Sequence, residues 1–418
     1  MSTPVKDNPV QPKVNRKLAV RFAIGLISIA GLLLVYNWIQ QNKQPGLSTS
    51  NTTGYLAALM QTDEGTQAVV FKPDGTMVPS PDYEAGASDA ELAWSPDGNG
   101  VYFTSDRYKK EPHVYRWDIG RNAVDRRTLD RRAKGQINFE VPGATTPSAT
   151  ALMVVGGTVV EYDPKEATGL QVLPPPSKGV VSEEGGRGGQ FDGVYQQIGT
   201  SFRTARWGPK KEWIAAIMKR EDGEVLIVQD LVKPVPPQVL AVGQKLDFDI
   251  GKGGELAIAI QSFQFPDPAQ VPPEFIKNGK LVRPYHHRLA VLQPNGALLG
   301  VVADSINDEV CFGQPKISPD GQKVIVVVGP WKEPGYLQAK GLFVLPFTEA
   351  GARGQQRLKL GEVTDAVWNS SGDQVAFVAP DSSGKRSIFT VAPDGSGERN
   401  LSAGKGDFRS PIYSPQTK

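Results

Sequence analysis

The residues most often used for catalysis or metal binding are few in this chain and lie far apart. It contains three histidines, His113, His286 and His287, and a single cysteine, Cys311. His286 and His287 are adjacent in an extended apolar run, so their side chains diverge and cannot bind one metal ion together. We expect both to have a surface or loop role, and we expect Cys311 to pack as a small buried hydrophobic residue. The sequence therefore predicts neither a metal site nor a cofactor.

Carboxylates are the other side chains that could support catalysis. Glu91, Asp247, Asp249 and Asp365 stand in short apolar runs, but they are scattered along the chain, and solvated strand ends account for them. Gly185–Gly189 resembles a phosphate-binding loop only superficially, because neither a Lys-Ser/Thr pair nor a helix pattern follows it. No nucleophile motif of the Gly-x-Ser-x-Gly type is present. These patterns favour a protein without enzymatic activity.

Aromatic and basic side chains in three long connecting segments are better candidates for a binding site. The segments are Gly179–Ser201, Ser262–His287 and Gly329–Lys340. Aromatic residues combined with Arg or Lys on exposed loops are typical of protein or glycan contacts. Packing of the same loops against the scaffold is the alternative interpretation. The candidate partner-binding residues are Phe263, Phe265, Phe275, Lys277, Arg283, Tyr285, Trp331, Lys332, Tyr336 and Arg187.

A repeated motif indicates the elements that would position these loops. Trp94–Gly98 reads Trp-Ser-Pro-Asp-Gly, and Ile317–Gly321 is nearly identical. Degenerate copies occur at Trp207–Lys211, Trp368–Gly372 and Tyr413–Pro415. Similar motifs at a spacing of about 40–60 residues indicate a repeat architecture. Pro fixes one turn dihedral and Asp-Gly tolerates the left-handed one, so each copy predicts a tight turn between antiparallel strands.

Four short strands surround each motif, which is the composition of one propeller blade. The clearest unit is Glu91–Asp130, and the units count to seven, with six as the alternative because Gln136–Pro176 lacks a clear first strand. The opening unit, Gly54–Pro81, has no first strand. The terminal piece, Phe408–Ser414, consists of a first strand alone. We expect the C-terminal strand to complete the N-terminal blade and close the ring. The predicted fold is all-β, a seven-bladed β-propeller.

The aromatic residue of the motif has a structural interpretation. Trp94, Trp207 and Trp368 occupy the same position in three different units. Because aromatic side chains bury large areas and recur here once per blade, we expect them to pack between blades rather than to stack on a ligand.

Trp94–Gly98 and Lys316–Gly321, each followed by an apolar strand and a later Asp-x-x-Gly turn, resemble the TolB-like β-propeller repeat family. The resemblance covers Gly54–Tyr413. It implies a propeller that serves as a periplasmic interaction scaffold or as the gating domain of a prolyl-oligopeptidase-like peptidase. We see neither a hydrolase domain nor the helical N-terminal domain of TolB proper in this sequence. The resemblance therefore specifies the fold more closely than the function, and a role in a Tol–Pal system is not expected.

The alternating strand direction assigns every connection to one of two faces. Turns between first and second strands and between third and fourth strands share one side, here named the turn face. Connections between second and third strands and between blades share the other side, the insertion face. The Pro-Asp-Gly turns fall on the turn face, and the three long segments fall on the insertion face. Long loops gathered on one side of a rigid scaffold are the usual location of binding residues.

The N-terminal part of the chain has the pattern of a membrane anchor. Residues 18–39 are mostly apolar and long enough to span a bilayer, which needs roughly 20 residues. Basic residues cluster between positions 13 and 21, and only Lys43 follows the segment closely, so the positive-inside bias places the N-terminus in the cytoplasm. The predicted organisation is a cytoplasmic tail (1–17), a transmembrane helix (18–39), a flexible tether (40–53) and the β-propeller (54–418).

These features together predict a location and a function. A cleaved signal peptide is the alternative to the anchor, but Asn37–Gln41 is a poor cleavage site. A net charge of +2 argues against a nucleic-acid-binding surface. We expect a single-pass protein of the bacterial inner membrane with its propeller in the periplasm or outside. Its expected function is to bind a protein or cell-envelope partner through the insertion face, on the side away from the membrane. The alternative is a propeller-type hydrolase, a lactonase or glycan-cleaving enzyme, with a site near the central channel.

Overall fold

The computed structural model describes residues 54–128, 132, 134–144, 147–173, 192–262, 276–277, 280–281, 286–305, 309–332, 336–347 and 355–415. The predicted tail, transmembrane helix and tether all lie outside these residues. Within the described ranges, no helix is long and apolar enough to cross a membrane.

The described residues form seven four-stranded antiparallel sheets, blades 1 to 7. Blade 1 contains β1 (Leu56–Thr62), β2 (Gly65–Phe71), β3 (Met77–Pro79) and the C-terminal strand. Blade 2 contains β4 (Asp89–Trp94), β5 (Gly100–Tyr108), β6 (Glu111–Asp118) and β7 (Ala123–Arg126). Blade 3 contains β8 (Lys134–Asn138), β9 (Ala151–Val155), β10 (Thr158–Asp163) and β11 (Thr168–Gln171). Blade 4 contains β12 (Ser201–Trp207), β13 (Trp213–Arg220), β14 (Gly223–Asp230) and β15 (Gln238–Gly243).

The remaining blades follow the same order, and two of them carry an inserted hairpin. Blade 5 contains β16 (Lys245–Ile250), β17 (Leu256–Ser262), β20 (His286–Leu292) and β21 (Leu298–Ser305), with the hairpin β18 (Ile276–Lys277) and β19 (Lys280–Leu281). Blade 6 contains β22 (Cys311–Ile317), β23 (Lys323–Gly329), β26 (Gly341–Pro346) and β27 (Gln356–Leu360), with the hairpin β24 (Trp331–Lys332) and β25 (Tyr336–Leu337). Blade 7 contains β28 (Thr364–Trp368), β29 (Val375–Pro380), β30 (Arg386–Val391) and β31 (Arg399–Asn400). The C-terminal strand is β32 (Asp407–Tyr413).

The fold is therefore an all-β, seven-bladed propeller, as the repeats predict. The six-bladed alternative is wrong, because β8 supplies the first strand that the sequence of the third unit obscures. The one described α-helix, α1 (Asp192–Ile198), lies in the long connecting segment Gly179–Ser201, and the expectation that no helix follows Gly185–Gly189 is wrong. Tyr195 explains this helix: its side chain is fully buried and its hydroxyl donates to Gln229 Oε1 at 2.7 Å.

The motif turns close as the sequence predicts. In blade 2, the Gly98 N–H donates to the Ser95 carbonyl at 2.9 Å, and Gly98 adopts a φ of 69°, which favours glycine. Trp94, Trp207 and Trp368 are buried, with 7%, 1% and 6% of their surface exposed. Their packing between blades is confirmed. Cys311 is fully buried, as expected.

Closure of the ring by the two ends of the propeller is also confirmed. β32 pairs antiparallel with β1, and the paired residues include Leu56 with Tyr413 and Met60 with Phe408. Phe408 is fully buried, and its ring centroid lies 5.6 Å from that of Phe71. Blade 1 is thus assembled from residues at both ends of the described chain, which removes a free sheet edge.

The innermost strands share an irregularity at one position. In blades 1, 2, 6 and 7 two residues of the inner strand face one residue of its neighbour, which is a β-bulge. The first bulged residue has a positive φ in each case: Ser410 (52°), Glu91 (50°), Gln314 (49°) and Asp365 (53°). Each stands three positions before the aromatic or aliphatic residue that opens the motif turn. The bulge redirects these side chains out of the regular strand alternation.

The assignment of long loops to one face needs one correction. Residues 172–200, 263–285 and 330–340 connect strands at the insertion face, as predicted. However, residues 139–150 join β8 to β9 on the turn face and are about as long as the blade 6 insertion. Gly143 of this loop lies so close to blade 5 that a Cβ atom would meet the Lys252 carbonyl oxygen at 2.5 Å. The loop therefore reaches past blade 4 along the inner side of the turn face.

Candidate functional site

The innermost strands of a propeller line its central channel, and here their polar side chains link one blade to the next. The Gln314 N–H donates to Asp247 Oδ2 at 3.2 Å, and the Asp365 N–H donates to Gln314 Oε1 at 2.9 Å. The Ser410 N–H donates to Asp365 Oδ2 at 3.1 Å. Asp247 and the three bulged residues thus form a chain of hydrogen bonds through blades 5, 6, 7 and 1. In each link, a side chain satisfies the backbone of the following blade.

The motif tryptophans make the return contact between blades. Trp94 Nε1 donates to the Ile412 carbonyl of blade 1 at 3.0 Å, and Trp368 Nε1 donates to the Lys316 carbonyl of blade 6 at 2.9 Å. Buried indole N–H groups need such a partner. Trp94 and Trp368 therefore fix blades 2 and 7 against the preceding blade, whereas the buried Trp207 Nε1 has no hydrogen-bond partner among the described residues and packs between blades 3 and 4 by apolar contact.

A first group of charges lies where the inner strands begin, on the side of the insertion face. Arg203 Nη2 donates to Glu224 Oε2 at 3.1 Å and lies 3.6 Å from Asp247 Oδ1. Glu224 Oε2 also accepts the Leu246 N–H at 2.8 Å. This ion-pair network joins blade 4 to blade 5 around the channel mouth.

A second group of charges lies nearer the turn face. Arg206 Nη1 is 3.0 Å from Asp249 Oδ1 and 3.7 Å from Glu140 Oε2. Asp249 Oδ2 accepts the Ile317 N–H at 2.8 Å. Burial, reinforced by the nearby Arg206 guanidinium, lowers the pKa of the Lys316 amine, and Asp249 and Glu140 oppose that shift. This second group lies beside the loop 139–150. It contains two cations, Arg206 and Lys316, and one carboxylate, Asp249, from adjacent inner strands.

Glu91 is the channel carboxylate whose surroundings differ most from the others. Its side chain is solvent-exposed, yet burial by the surrounding blades raises the pKa of its carboxyl group, and Arg409 opposes that rise. Glu91 is the first bulged residue of the inner strand β4, and its carboxyl group has a higher proton affinity than that of an ordinary glutamate.

These observations correct the sequence-based view of the four carboxylates. Asp247, Asp249 and Asp365 accept hydrogen bonds from the next blade, and Asp249 is only 8% exposed. They are neither scattered nor solvated strand ends. The sequence signal that would have revealed Asp247 and Asp365 is the polar residue three positions before the aromatic or aliphatic residue that opens the turn. This signal also finds Gln314 and Ser410, which sequence reasoning missed.

The blade 6 insertion packs at the insertion-face mouth of the channel. A Cβ atom at Gly313 would lie 2.6 Å from Leu337 Cδ2 and 3.6 Å from Asp247 Oδ2. The β24–β25 hairpin, with Trp331 paired to Leu337, therefore lies against the inner strand of blade 6. Trp331 is only 5% exposed, and its ring centroid is 6.1 Å from that of His287.

The candidate partner-binding residues have different placements. Trp331 is buried, Lys332 is exposed at the end of β24, and Tyr336 pairs with Lys332 through the backbone of the hairpin. Lys277 pairs with Lys280 in the β18–β19 hairpin. The remaining candidates, Phe263, Phe265, Phe275, Arg283, Tyr285 and Arg187, lie outside the described residues. Among the described candidates, Lys332 and the rest of the blade 6 hairpin thus lie at the channel mouth.

The surface role predicted for the two adjacent histidines is wrong. His286 and His287 are 6% and 0% exposed, because β20 is a central strand of blade 5. His286 Nε2 lies 2.5 Å from Asp304 Oδ1, whereas His287 packs towards Trp331. The two side chains diverge because consecutive residues of a strand point to opposite faces of the sheet. The prediction that they do not bind one metal ion together rests on this alternation. No group of three His, Cys, Asp or Glu residues in the described ranges could hold a metal ion.

Comparison with known proteins identifies neither a family nor a function for this chain. No family model matches the chain, and no curated protein matches it. Among solved structures, TolB from Acinetobacter baumannii is similar with a TM-score of 0.46 and 11% identity, over 88% of this chain and 68% of that one. An oligogalacturonate lyase in complex with manganese gives 0.48 and 12%, over 83% and 85%. The β-propeller domain of the Trilobed protease from Pyrococcus furiosus gives 0.48 and 12%, over 83% and 94%.

Proposed function

We propose that this protein is a membrane-anchored, extracytoplasmic scaffold that binds a protein or cell-envelope partner through its insertion face. The observation that carries the proposal is the use of the inner-strand carboxylates. Asp247, Asp249 and Asp365 are engaged by backbone N–H groups of the next blade, so their chemistry maintains a rigid ring. A rigid ring with its two longest connections, residues 172–200 and 263–285, on one face is well suited to recognition by loops.

The chain enters the ring at the turn face. β1 is the second strand of blade 1 and therefore starts at the turn face, next to Ser414. A tether joined to Gly54 reaches the propeller from that side. The insertion face is thus opposite the side at which the chain enters the ring, and we propose that a partner has access to it there.

Hydrolysis in the central channel is the second candidate function. Glu91 favours it, because a raised pKa is a common property of a general acid. Lys316, with its lowered pKa, lies in the same channel. Substrates of this candidate would be lactones or glycans.

A pull-down from solubilised membranes tests the leading proposal. The full-length protein is crosslinked in cells and recovered either intact, with residues 263–285 shortened, or with residues 348–354 shortened as a turn-face control. We expect the insertion-face change to remove a partner that the intact protein and the control both retain. Loss of the partner in the control alone, or in neither variant, would contradict the proposal.

The enzymatic candidate has its own test. Lactone and glycan hydrolysis by the wild type and by Glu91→Gln are measured at several pH values. The scaffold function predicts no turnover above that of buffer in either protein. Turnover that disappears in Glu91→Gln, whose side chain has the same size but no acidic proton, would establish the enzyme instead.

A further inference from the structure

The turn between β5 and β6 on the insertion face of blade 2 contains two lysines in an unfavourable conformation. Tyr108 pairs with Glu111, and the two residues between them, Lys109 and Lys110, have φ angles of 53° and 57°. Positive φ at both central positions is the geometry of a type I′ turn, in which Asn-Gly predominates. A side chain with a Cβ atom is strained there and glycine is not. Turn formation alone therefore does not explain two lysines at this position.

An exposed aromatic ring lies between cations beside this turn. Tyr108 is 43% exposed, with Lys109 Nζ 5.1 Å and Arg126 Cζ 4.3 Å from its ring centroid. Arg126 is exposed on β7, and no carboxylate of the described residues lies within ion-pair distance of it. Lys110 Nζ donates to the Gly86 carbonyl at 2.6 Å, which holds the side chain in place without neutralising its charge. We name Tyr108, Lys109, Lys110 and Arg126 the basic cluster.

The electrostatic surroundings of the basic cluster are positive. The pKa of the Tyr108 phenol is lowered by Lys109 and by Arg126. His113 is buried beside the cluster, and its pKa is lowered by burial and then by Arg126 and Lys134, against the opposing Glu111. The sequence agrees, since residues 107–134 contain ten basic and four acidic side chains in a chain whose net charge is +2. These basic residues lie in blade 2, in the segment that joins it to blade 3, and at the first position of β8.

We infer that the basic cluster is the docking point for an acidic segment of a protein partner, an inference that rests on the proposed scaffold function. Arginine and exposed aromatic residues together are enriched at the centres of protein interfaces, and the carboxylates of such a segment would complement the lysines. A membrane surface fits less well, because the cluster lies on the face opposite the one at which the chain enters the ring. A nucleic acid fits less well, because phosphate recognition needs an extended basic surface and the net charge of the chain is only +2.

One double variant separates binding from folding. Lys109→Asn/Lys110→Gly introduces the turn residues that suit the observed backbone, so the apparent Tm should rise by about 1–3 °C. The same change removes two charges, so binding should weaken by about three- to tenfold. The probe is a short fluorescein-labelled peptide rich in Asp and Glu, measured by anisotropy with the full-length protein at about 0.15 M salt. A purely structural turn would move the Tm without moving the affinity.

A matched control removes the same number of charges from the same face. Lys219 and Lys385 are exposed near the insertion-face ends of blades 4 and 7. Lys219→Asn/Lys385→Asn should change the peptide affinity by less than about twofold, since these charges lie outside the cluster. An equal loss in both double variants would overturn the inference. So would equal affinity for the same peptide with Asn and Gln in place of its acids, or tighter binding to phosphatidylglycerol vesicles or to an RNA oligonucleotide.

The same variants distinguish failure of this inference from failure of the scaffold function. In the membrane pull-down, Lys109→Asn/Lys110→Gly should reduce recovery of the partner, and the partner should contain an acidic segment. Unchanged recovery in this variant, with loss on shortening residues 263–285, would overturn the inference and leave the scaffold function standing. Unchanged recovery in both would overturn the scaffold function itself.

Discussion

Asp249 joins three blades of the ring through one carboxylate. It belongs to blade 5, pairs with Arg206 of blade 4 and accepts the N–H of Ile317 in blade 6. Both side chains of the ion pair are mostly buried, so neither charge is well solvated when its partner is removed. Single residues of this kind, rather than the motif turns alone, hold neighbouring blades at a fixed distance.

Replacing this carboxylate should therefore cost considerable stability. Asp249→Ala leaves Arg206 without its close partner and Ile317 with an unsatisfied N–H, which together should lower the free energy of unfolding by about 2–4 kcal/mol. Urea unfolding at neutral pH measures the change. Asp222→Ala is the control, because that carboxylate is exposed and pairs only with Arg220, and it should change stability by about 0.5 kcal/mol or less. A value for Asp249→Ala as small as that of the control would contradict this account.

The aspartates of the motif turns predict how stability depends on pH. The Ser318 hydroxyl and the Gln322 N–H lower the pKa of Asp320, and the Asn369 amide and Ser371 hydroxyl lower that of Asp373. A carboxyl whose pKa is lower in the folded state stabilises the fold above its unfolded pKa of about 4, and that stabilisation is lost as the pH falls through the folded pKa. The turns should therefore loosen in acid and not in alkali.

Thermal unfolding between neutral and acidic pH checks this prediction. The double variant Asp320→Asn/Asp373→Asn should unfold at a lower temperature than the wild type near neutral pH. The two proteins should converge as the pH is lowered below about 4, because the wild-type carboxylates are then protonated as well. A difference in Tm that stays constant over the whole pH range would show that these carboxylates act by shape and not by charge.

At the scale of elements, β32 is the strand on which the ring depends most. It supplies the inner strand of blade 1, and Phe408 is buried against Phe71. Phe408→Ala should lower the free energy of unfolding by about 3–5 kcal/mol, because a large side chain is lost from a site that cannot collapse easily. Urea unfolding tests this, with Leu298→Ala as the control, since Leu298 is 56% exposed on the outer strand of blade 5. Equal effects of the two changes would mean that β32 is peripheral.

The strands were predictable from sequence because each blade repeats a local rule. Pro-Asp-Gly turns and apolar runs specify β4, β5 and β6 without information from distant residues. The role of the polar channel residues could not be predicted from sequence. Gln314 and Asp365 acquire that role only when the ring assembles, because each then contacts the backbone or side chain of an adjacent inner strand. The burial of His286 was missed for the same reason: its partner, Asp304, belongs to a different strand of the blade. Local sequence patterns therefore predict turns. Contacts between blades cannot be predicted in this way, because they form only in the assembled ring.

At the scale of the whole molecule, the structure describes the propeller. The sequence of residues 18–39 predicts a membrane anchor. The full-length protein should remain in the membrane pellet after an alkaline wash, and deletion of residues 1–49 should release the compact unit Ser50–Lys418. The variant Leu32→Arg/Leu34→Arg keeps the chain length and should also be released, because two charges within a membrane span are costly. Release of the wild-type protein by the wash would contradict the anchor.

The two faces of the ring differ in what they can offer a partner. The turn face consists mainly of tight turns whose N–H and carbonyl groups bond within each turn, such as Gly98 to Ser95 and Gly321 to Ser318. The insertion face carries the long connections, the blade 6 hairpin at the channel mouth and the basic cluster of blade 2. The insertion face is therefore the side of the ring through which we expect recognition of a partner.

Site-specific photo-crosslinking from blade 6 tests that claim most directly. A photoreactive amino acid replaces either Lys332, exposed on the insertion face, or Asp320, exposed in the motif turn on the opposite face of the same blade. Irradiation of cells that contain the full-length protein should give a discrete crosslinked product from position 332 and none from position 320. A product from position 320 alone, or equal products from both positions, would contradict recognition through the insertion face.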